Sequence, residues 1–221
     1  MKNNIVLIIS FFAFNLIVSQ DLKLPTIFSD NMILQQDSVV SIWGWSKSNS
    51  QVSINVSWNK KTFKIKSNSE GKWLLKVNTP KSGKSHQITV QSNNKRVIIA
   101  NVLMGEVWIA SGQSNMQMNL NGYRNEPVFG ANDAIANSYN SEIRFFTVER
   151  NVSNIPLENL EGKWSISNQE NSPFFSAVAY SFAKYLNTVL DYPVAIIHTS
   201  WGGTPAEAWS DSKSLQMDFK K

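Results

Sequence analysis

The sequence predicts a β-sandwich followed by an α/β domain, and three observations carry that prediction. Between residues 21 and 103, apolar and polar residues alternate in short runs separated by Asn, Gly and Ser turns, the period-two signature of half-buried strands. After Val102 the texture changes to short, continuously apolar runs, Val107-Trp108-Ile109-Ala110 and residues 194–199, which suit fully buried strands. A helical segment at 172–189 stands between them, and strand, helix, strand in that order argues a parallel sheet with helices on its faces.

The first twenty residues set the expected compartment. Lys2 precedes an apolar run, 5–18, broken only by Ser10 and Asn15, which has the charged and hydrophobic regions of a secretory signal peptide ending near Ser19-Gln20. That run is shorter than the roughly 20 residues a membrane-spanning helix needs. The expectation is a signal peptide at 1–20 and a secreted or periplasmic protein, with no membrane attachment after its removal.

Residues 21–103 are expected to form the sandwich. Val52, Ile54, Val56 and Trp58 alternate with polar residues, Phe63 and Ile65 alternate with lysines, and Asn59-Lys60 between them reads as a two-residue hairpin turn. Residues 86–91 pair in the same way with 96–102 across Asn93-Asn94, both tolerant of positive φ. Further strands are expected at 32–35, 39–45 and 72–77. Trp43, Trp45, Trp58 and Trp73 can serve as a sugar-stacking platform or as core. Register with other apolar positions favours core for Trp58 and Trp73, whereas the orientation of Trp43 and Trp45 stays open. His86, at a strand start, reads as a solvated or edge residue.

Residues 104–221 carry the α/β pattern. A strand at 106–110, a polar loop at 122–127, a short helix near 133–137 and a strand at 143–148 lead through a long connection to Trp164. Ser172-Pro173 reads as N-cap and first helical residue. Val178, Phe182, Tyr185, Leu186 and Val189 then recur at helical spacing, with Lys184 and Asn187 opposite. Asp191-Tyr192-Pro193 stops that helix.

Composition removes several function classes. The net charge of +5 is spread without a dense Lys/Arg run, so no nucleic-acid footprint is implied. With 0 Cys and 2 His there is no thiolate nucleophile, no disulfide and no multi-histidine metal centre. No phosphate-binding or dinucleotide glycine motif occurs, and no cofactor is expected.

The chemistry concentrates in residues 104–118, MGEVWIASGQSNMQM, where a buried strand breaks at Ser111-Gly112 into a polar turn carrying Ser114. A serine there is either a helix N-cap or a presented nucleophile. Near the other end, Gly202-Gly203 precede Thr204-Pro205-Ala206-Glu207, which matches a capping box with Thr204 at the N-cap and makes Glu207 structural. If the strands are parallel, both turns lie on the same sheet edge.

The run GEVWIASGQSNM resembles the nucleophile block of the SGNH hydrolase superfamily, in the form found in sialate O-acetylesterases and related carbohydrate acetylesterases. PVAIIHTSWGGTPAEAW, at 193–209, resembles a second block, and the likeness covers nearly all of the chain after residue 21. The resemblance implies a three-layer αβα SGNH-type parallel sheet and metal-free hydrolysis of O-acetyl esters on sialic acid or another acetylated glycan. It assigns Ser114 as nucleophile and places the N–H groups of Ser114 and of Gly202 or Gly203 in an oxyanion hole. Gln113, Asn115 and Trp201 become candidate substrate contacts.

The family's base, a histidine in an Asp-x-x-His pattern, has no match here. His198, within a buried strand, reads as a packed core or crevice-wall residue rather than the base. With three parallel strands in 104–221, the α/β part reads as an amino-terminal portion, with an unpaired edge and an uncovered helix face as the expected consequence. The rival reading is a non-catalytic carbohydrate-binding protein.

Overall fold

The computed structural model describes residues 22–211 and 213–215; the segment read as a signal peptide lies outside them. The elements are β1 (Ile33–Gln35), β2 (Val39–Trp45), β3 (Gln51–Val56), β4 (Thr62–Lys66), β5 (Lys72–Asn78), β6 (His86–Ser92), β7 (Lys95–Gly112), α1 (Ser114–Gln117), α2 (Ala131–Ala136), β8 (Asn140–Val148), β9 (Gly162–Ser167), α3 (Ala177–Leu190) and β10 (Val194–Ser200). Among the described residues, eight strands form one mixed sheet in the order β4-β3-β6-β7-β10-β8-β9, with β1 also on β7. β2 and β5 make a separate antiparallel pair.

The three parallel strands expected from the apolar runs are present. β10 lies between β7 and β8 and is parallel to both, so it has a strand on each edge. Alternate residues of β10 enter two different cores. Val194 and Ile196 join Ile143, Phe145, Phe175, Ala179, Tyr180 and Ala183 on the α3 side. Ala195 joins Phe146 and Trp164 in the cluster that continues into the β-rich part. A strand covered on both faces needs apolar residues at every position, which is why this run reads as continuous.

Alternation is equally legible in the β-rich part. Ile42, Trp73, Leu75 and Val77 of the two-stranded sheet meet Val52, Ile54, Val56, Ile88, Val90 and Ile99 in one buried cluster. Trp73 is core, as register implied, and Trp58 packs partly buried against the same cluster. Ser92 pairs with Lys95 across Asn93-Asn94, with Asn93 at φ 49°, so that hairpin turn has the two-residue form. The turn at Asn59-Lys60 does not: β3 ends at Val56 and β4 begins at Thr62, and Asn59 Oδ1 accepts from the Lys61 N–H within a longer loop. His86 is buried rather than solvated, with Nδ1 3.2 Å from Ser57 Oγ and its ring edge-on to Trp58.

The strand expected at 106–110 is the second half of β7, which runs 18 residues and joins the two parts of the chain. Its partners change midway. Residues 95–102 pair with β6, while Leu103 and Gly105 bond toward β1 on one edge and Glu106 donates to Pro193 O on the other. Gly105 permits that junction, since a Cβ there would lie 2.0 Å from Pro193 O. Beyond β1, the Val107 N–H is taken by the Gln35 side chain, and no described strand continues the edge.

Two expectations about burial are overturned. Trp108 is 45% exposed and Ile109 70% exposed, although their run reads as fully buried. On α3 the stripe Val178, Phe182, Tyr185 and Val189 also faces outward, and the helix packs instead through Ala177, Ala179, Tyr180 and Ala183. Small residues let the helix axis approach the sheet closely, which the larger stripe prevents. Trp108 meets Phe182 edge-on at 5.2 Å, so the two outward apolar surfaces adjoin.

Ser172 does not cap that helix. Residues Ser172–Phe174 form a 3-10 turn, Phe175 is extended, and Ser176 is the N-cap, its Oγ accepting from the Ala179 N–H. Pro173 thus begins a turn that ends before the helix starts. Strand β9, which the sequence reading passed over as a connection, is an antiparallel edge on β8.

Candidate active site

The parallel strands end side by side. Ser200 of β10 is level with Gly112 of β7, and His198 is level with Thr147 of β8, so the chain leaves this edge through Gln113-Ser114, Trp201-Gly202 and Glu149-Arg150. The strand carboxyl ends of an open α/β sheet are where its ligands bind.

Ser114 is exposed and is the first residue of α1, a single turn that stops at Gln117. Gln113 is the cap, so the serine hydroxyl is not consumed in capping. Ser114 Oγ instead donates to Gln113 Oε1 at 2.8 Å, and the Ser114 N–H points at the same oxygen at 3.3 Å. Gln113 and Asn115 lie exposed on either side.

Gly202 packs against this turn. Its N–H donates to Gln117 Oε1 at 2.6 Å, and a Cβ on Gly202 would sit 3.6 Å from Ser114 Cα. Gly203, at φ 81°, occupies the left-handed position of the turn that the Thr204 N–H closes on Trp201 O. The Ser114 and Gly202 turns thus adjoin, and each of the two N–H groups is satisfied by a glutamine carboxamide oxygen. The two donors are held by two different oxygens, Gln113 Oε1 and Gln117 Oε1.

The capping box is not formed. Pro205, not Thr204, precedes the 3-10 segment Ala206–Trp209, and no side chain makes a cap hydrogen bond at its start. Thr204 Oγ1 donates to Trp201 O and accepts from Trp209 Nε1 at 2.7 Å. The threonine thereby ties the indole to the turn, leaving no side chain for the helix end.

His198 lies in β10, two residues before its end. It is buried, with Nε2 2.8 Å from Ser200 Oγ and 3.2 Å from Met116 O, while Nδ1 has no partner. Burial holds its pKa below the ordinary histidine value, Arg150 pushes the same way, and the hydrogen bond to Met116 O opposes them. Among the described residues, the Ser114 hydroxyl has Gln113 as its hydrogen-bond partner, not His198.

Beside the turn opens a cleft of about 810 Å³, bordered by Trp43, Arg150, Leu157, Trp201, Thr204 and Trp209 among others. Trp43 is held edge-on to Phe28 at 4.6 Å, which resolves its orientation toward the cleft rim. Arg150 lies over the Trp201 ring at 5.8 Å. The sequence reading missed Arg150, Gln117 and Trp209. Arg150 carried a usable signal, since a charged residue two positions past a predicted parallel strand falls on the ligand edge of the sheet.

No family model matches the chain. It is 30% identical over 209 residues to the sialate O-acetylesterase of Rattus norvegicus, covering 86% of this chain and 38% of that protein. The human sialate O-acetylesterase is 30% identical over 214 residues, covering 88% of this chain and 40% of that protein. Among solved structures, a carbohydrate acetylesterase from Xanthomonas citri is similar with a TM-score of 0.83 and 30% identity, covering 89% of this chain and 44% of that one. The chain spans about 40% of the length of the curated relatives it matches.

Proposed function

Because the chain belongs to the sialate O-acetylesterase and carbohydrate acetylesterase family, we propose that it carries the nucleophile side of an esterase site that removes acetyl groups from O-acetylated sugars, sialic acid among them. The observation that supports this most is an exposed Ser114 whose side chain caps no helix, with Gly202 packed against it at the end of parallel strands. In this reading residues 21–103 are a β-sandwich, 104–221 belong to the SGNH-type domain, and the protein is exported by residues 1–20.

The reaction runs through Ser114 Oγ. It attacks the acetyl carbonyl carbon while a base takes its proton, and the carbonyl oxygen becomes an oxyanion that accepts from the Ser114 and Gly202 N–H groups. For that to happen the Gln113 and Gln117 side chains give up those donors. Collapse breaks the ester bond, the base returns its proton to the sugar oxygen, and the acetyl group stays on Ser114. Water, activated by the same base, then releases acetate. In this reading the base is not His198, whose Nε2 lies against Ser200 Oγ and Met116 O, and it comes from polypeptide outside the described residues.

Acetate release from O-acetylated N-acetylneuraminic acid, measured beside the Ser114→Ala variant, tests the proposal. The variant should lose about 10³-fold or more. Equal rates would overturn it. The tryptophan-lined cleft favours a second reading, glycan binding without turnover, which would show as unchanged glycan affinity in a protein that never releases acetate.

A further inference from the structure

Arg150 stands just past the end of β8, on the far side of β10 from Ser114. Two contacts fix its guanidinium. The ring of Trp201 lies beneath it at 5.8 Å, and Nε donates to Ser200 O at 3.3 Å. Both terminal nitrogens stay uncommitted, because the ion pairs among the described residues are those of Lys72 with Glu70 and Glu158. Glu149, Glu158 and Glu161 also border the cleft, yet none is ion-paired to Arg150, and Glu158 is taken by Lys72 at 2.6 Å. A guanidinium held over an indole with its fork open can make two parallel N–H···O bonds to a carboxylate.

Its placement matches the ester site. Two strand spacings separate the ends of β7 and β8, so Arg150 stands roughly 10 Å from Ser114 at backbone level. Trp201 lies between them and offers a face on which a sugar can rest. We propose that Arg150 binds the carboxylate of an acidic sugar whose acetyl ester is presented to Ser114, and so selects acidic over neutral acetylated sugars. The ester's position rests on the hydrolase reading above; the carboxylate contact is a binding property and does not depend on turnover.

Titration of the full chain with N-acetylneuraminic acid and with its methyl ester, at low and at high salt, tests this. The wild type should bind the acid about tenfold tighter than the ester at low salt, with the preference shrinking as salt rises. Arg150→Gln should bring the acid down to the level of the ester and leave ester binding unchanged. Arg150→Lys, which keeps the charge but loses the fork, should retain part of the preference, and it decides the matter if the Gln variant does not fold. Equal binding of acid and ester by the wild type, binding of neither, or a preference that survives Arg150→Gln would overturn the proposal. A preference that persists in a protein releasing no acetate would sink the hydrolase reading and leave the role of Arg150 standing.

Discussion

Arg144 of β8 reaches across the sheet and locks onto Asn101 of β7, with Nη1 2.6 Å from the backbone oxygen of Asn101 and Nη2 3.2 Å from its Oδ1. Asn101 has a φ of 53° and sits where the β6–β7 register shifts, just before β7 turns to its parallel partners. Asn tolerates that left-handed backbone better than most residues. The arginine is 1% exposed, and burial lowers its pKa to about 10 against the opposing pull of Glu142. It therefore satisfies acceptors that the register shift leaves without strand partners.

Arg144→Met should destabilise the protein by about 2–4 kcal/mol, because three hydrogen bonds from a buried charged donor are lost, to Ser141 O and to Asn101 O and Oδ1. Urea denaturation of the variant beside the wild type measures this. A midpoint unchanged within error would mean that the shift at Asn101 holds itself.

Gly202→Ala and Gly202→Pro together test the proposed oxyanion locus. In the first, the new Cβ would lie 2.9 Å from Gln117 Oε1, the far end of a flexible side chain that can swing aside, and 3.6 Å from Ser114 Cα, an ordinary contact. The Ala variant keeps the N–H, so acetate release should stay within about threefold of the wild type, whereas Gly202→Pro, which removes that donor, should lose about 10²-fold. Gly203→Ala should behave differently, costing about 1–2 kcal/mol of stability at its positive φ.

Both histidines make stability depend on pH. Burial lowers the pKa of His86, assisted by Lys84, and burial is also the main cause of the lowering at His198. The unfolded chain, with histidines near about 6.5, binds protons that the folded chain refuses. Their contribution is thus fully present above that value and declines as pH falls below it, levelling once the folded forms also protonate. The melting temperature should drop between about pH 7.5 and 5.5, and His86→Gln with His198→Asn should flatten that slope.

The outward apolar surface has a simpler consequence. Trp108, Ile109, Val178, Phe182, Tyr185 and Val189 are exposed, and the first of them adjoins α3. Described residues 22–211, as a protein, should enhance the fluorescence of an apolar dye strongly at neutral pH without unfolding, and Phe182→Lys with Val189→Glu should reduce that signal by about half or more. Weak dye binding by the unaltered chain would show this surface to be covered.

The sequence by itself determined the strands, because alternation and continuous apolar runs are local properties of the chain. It located β2 to the residue, the Asn93-Asn94 hairpin, and the parallel trio of β7, β10 and β8. It also singled out Ser114 and the Gly202-Gly203 turn, since a strand broken by a polar turn is visible in order. Only the tertiary structure decided which face of α3 packs, because small and large apolar stripes share the same helical period and the distance to the sheet chooses between them. It alone showed Ser114 free of capping, the donors of Ser114 and Gly202 answered by Gln113 and Gln117, and Arg150 held over Trp201. Those relationships join strands that are remote in sequence, and hydrogen bonds between them exist only once the sheet order brings their ends together.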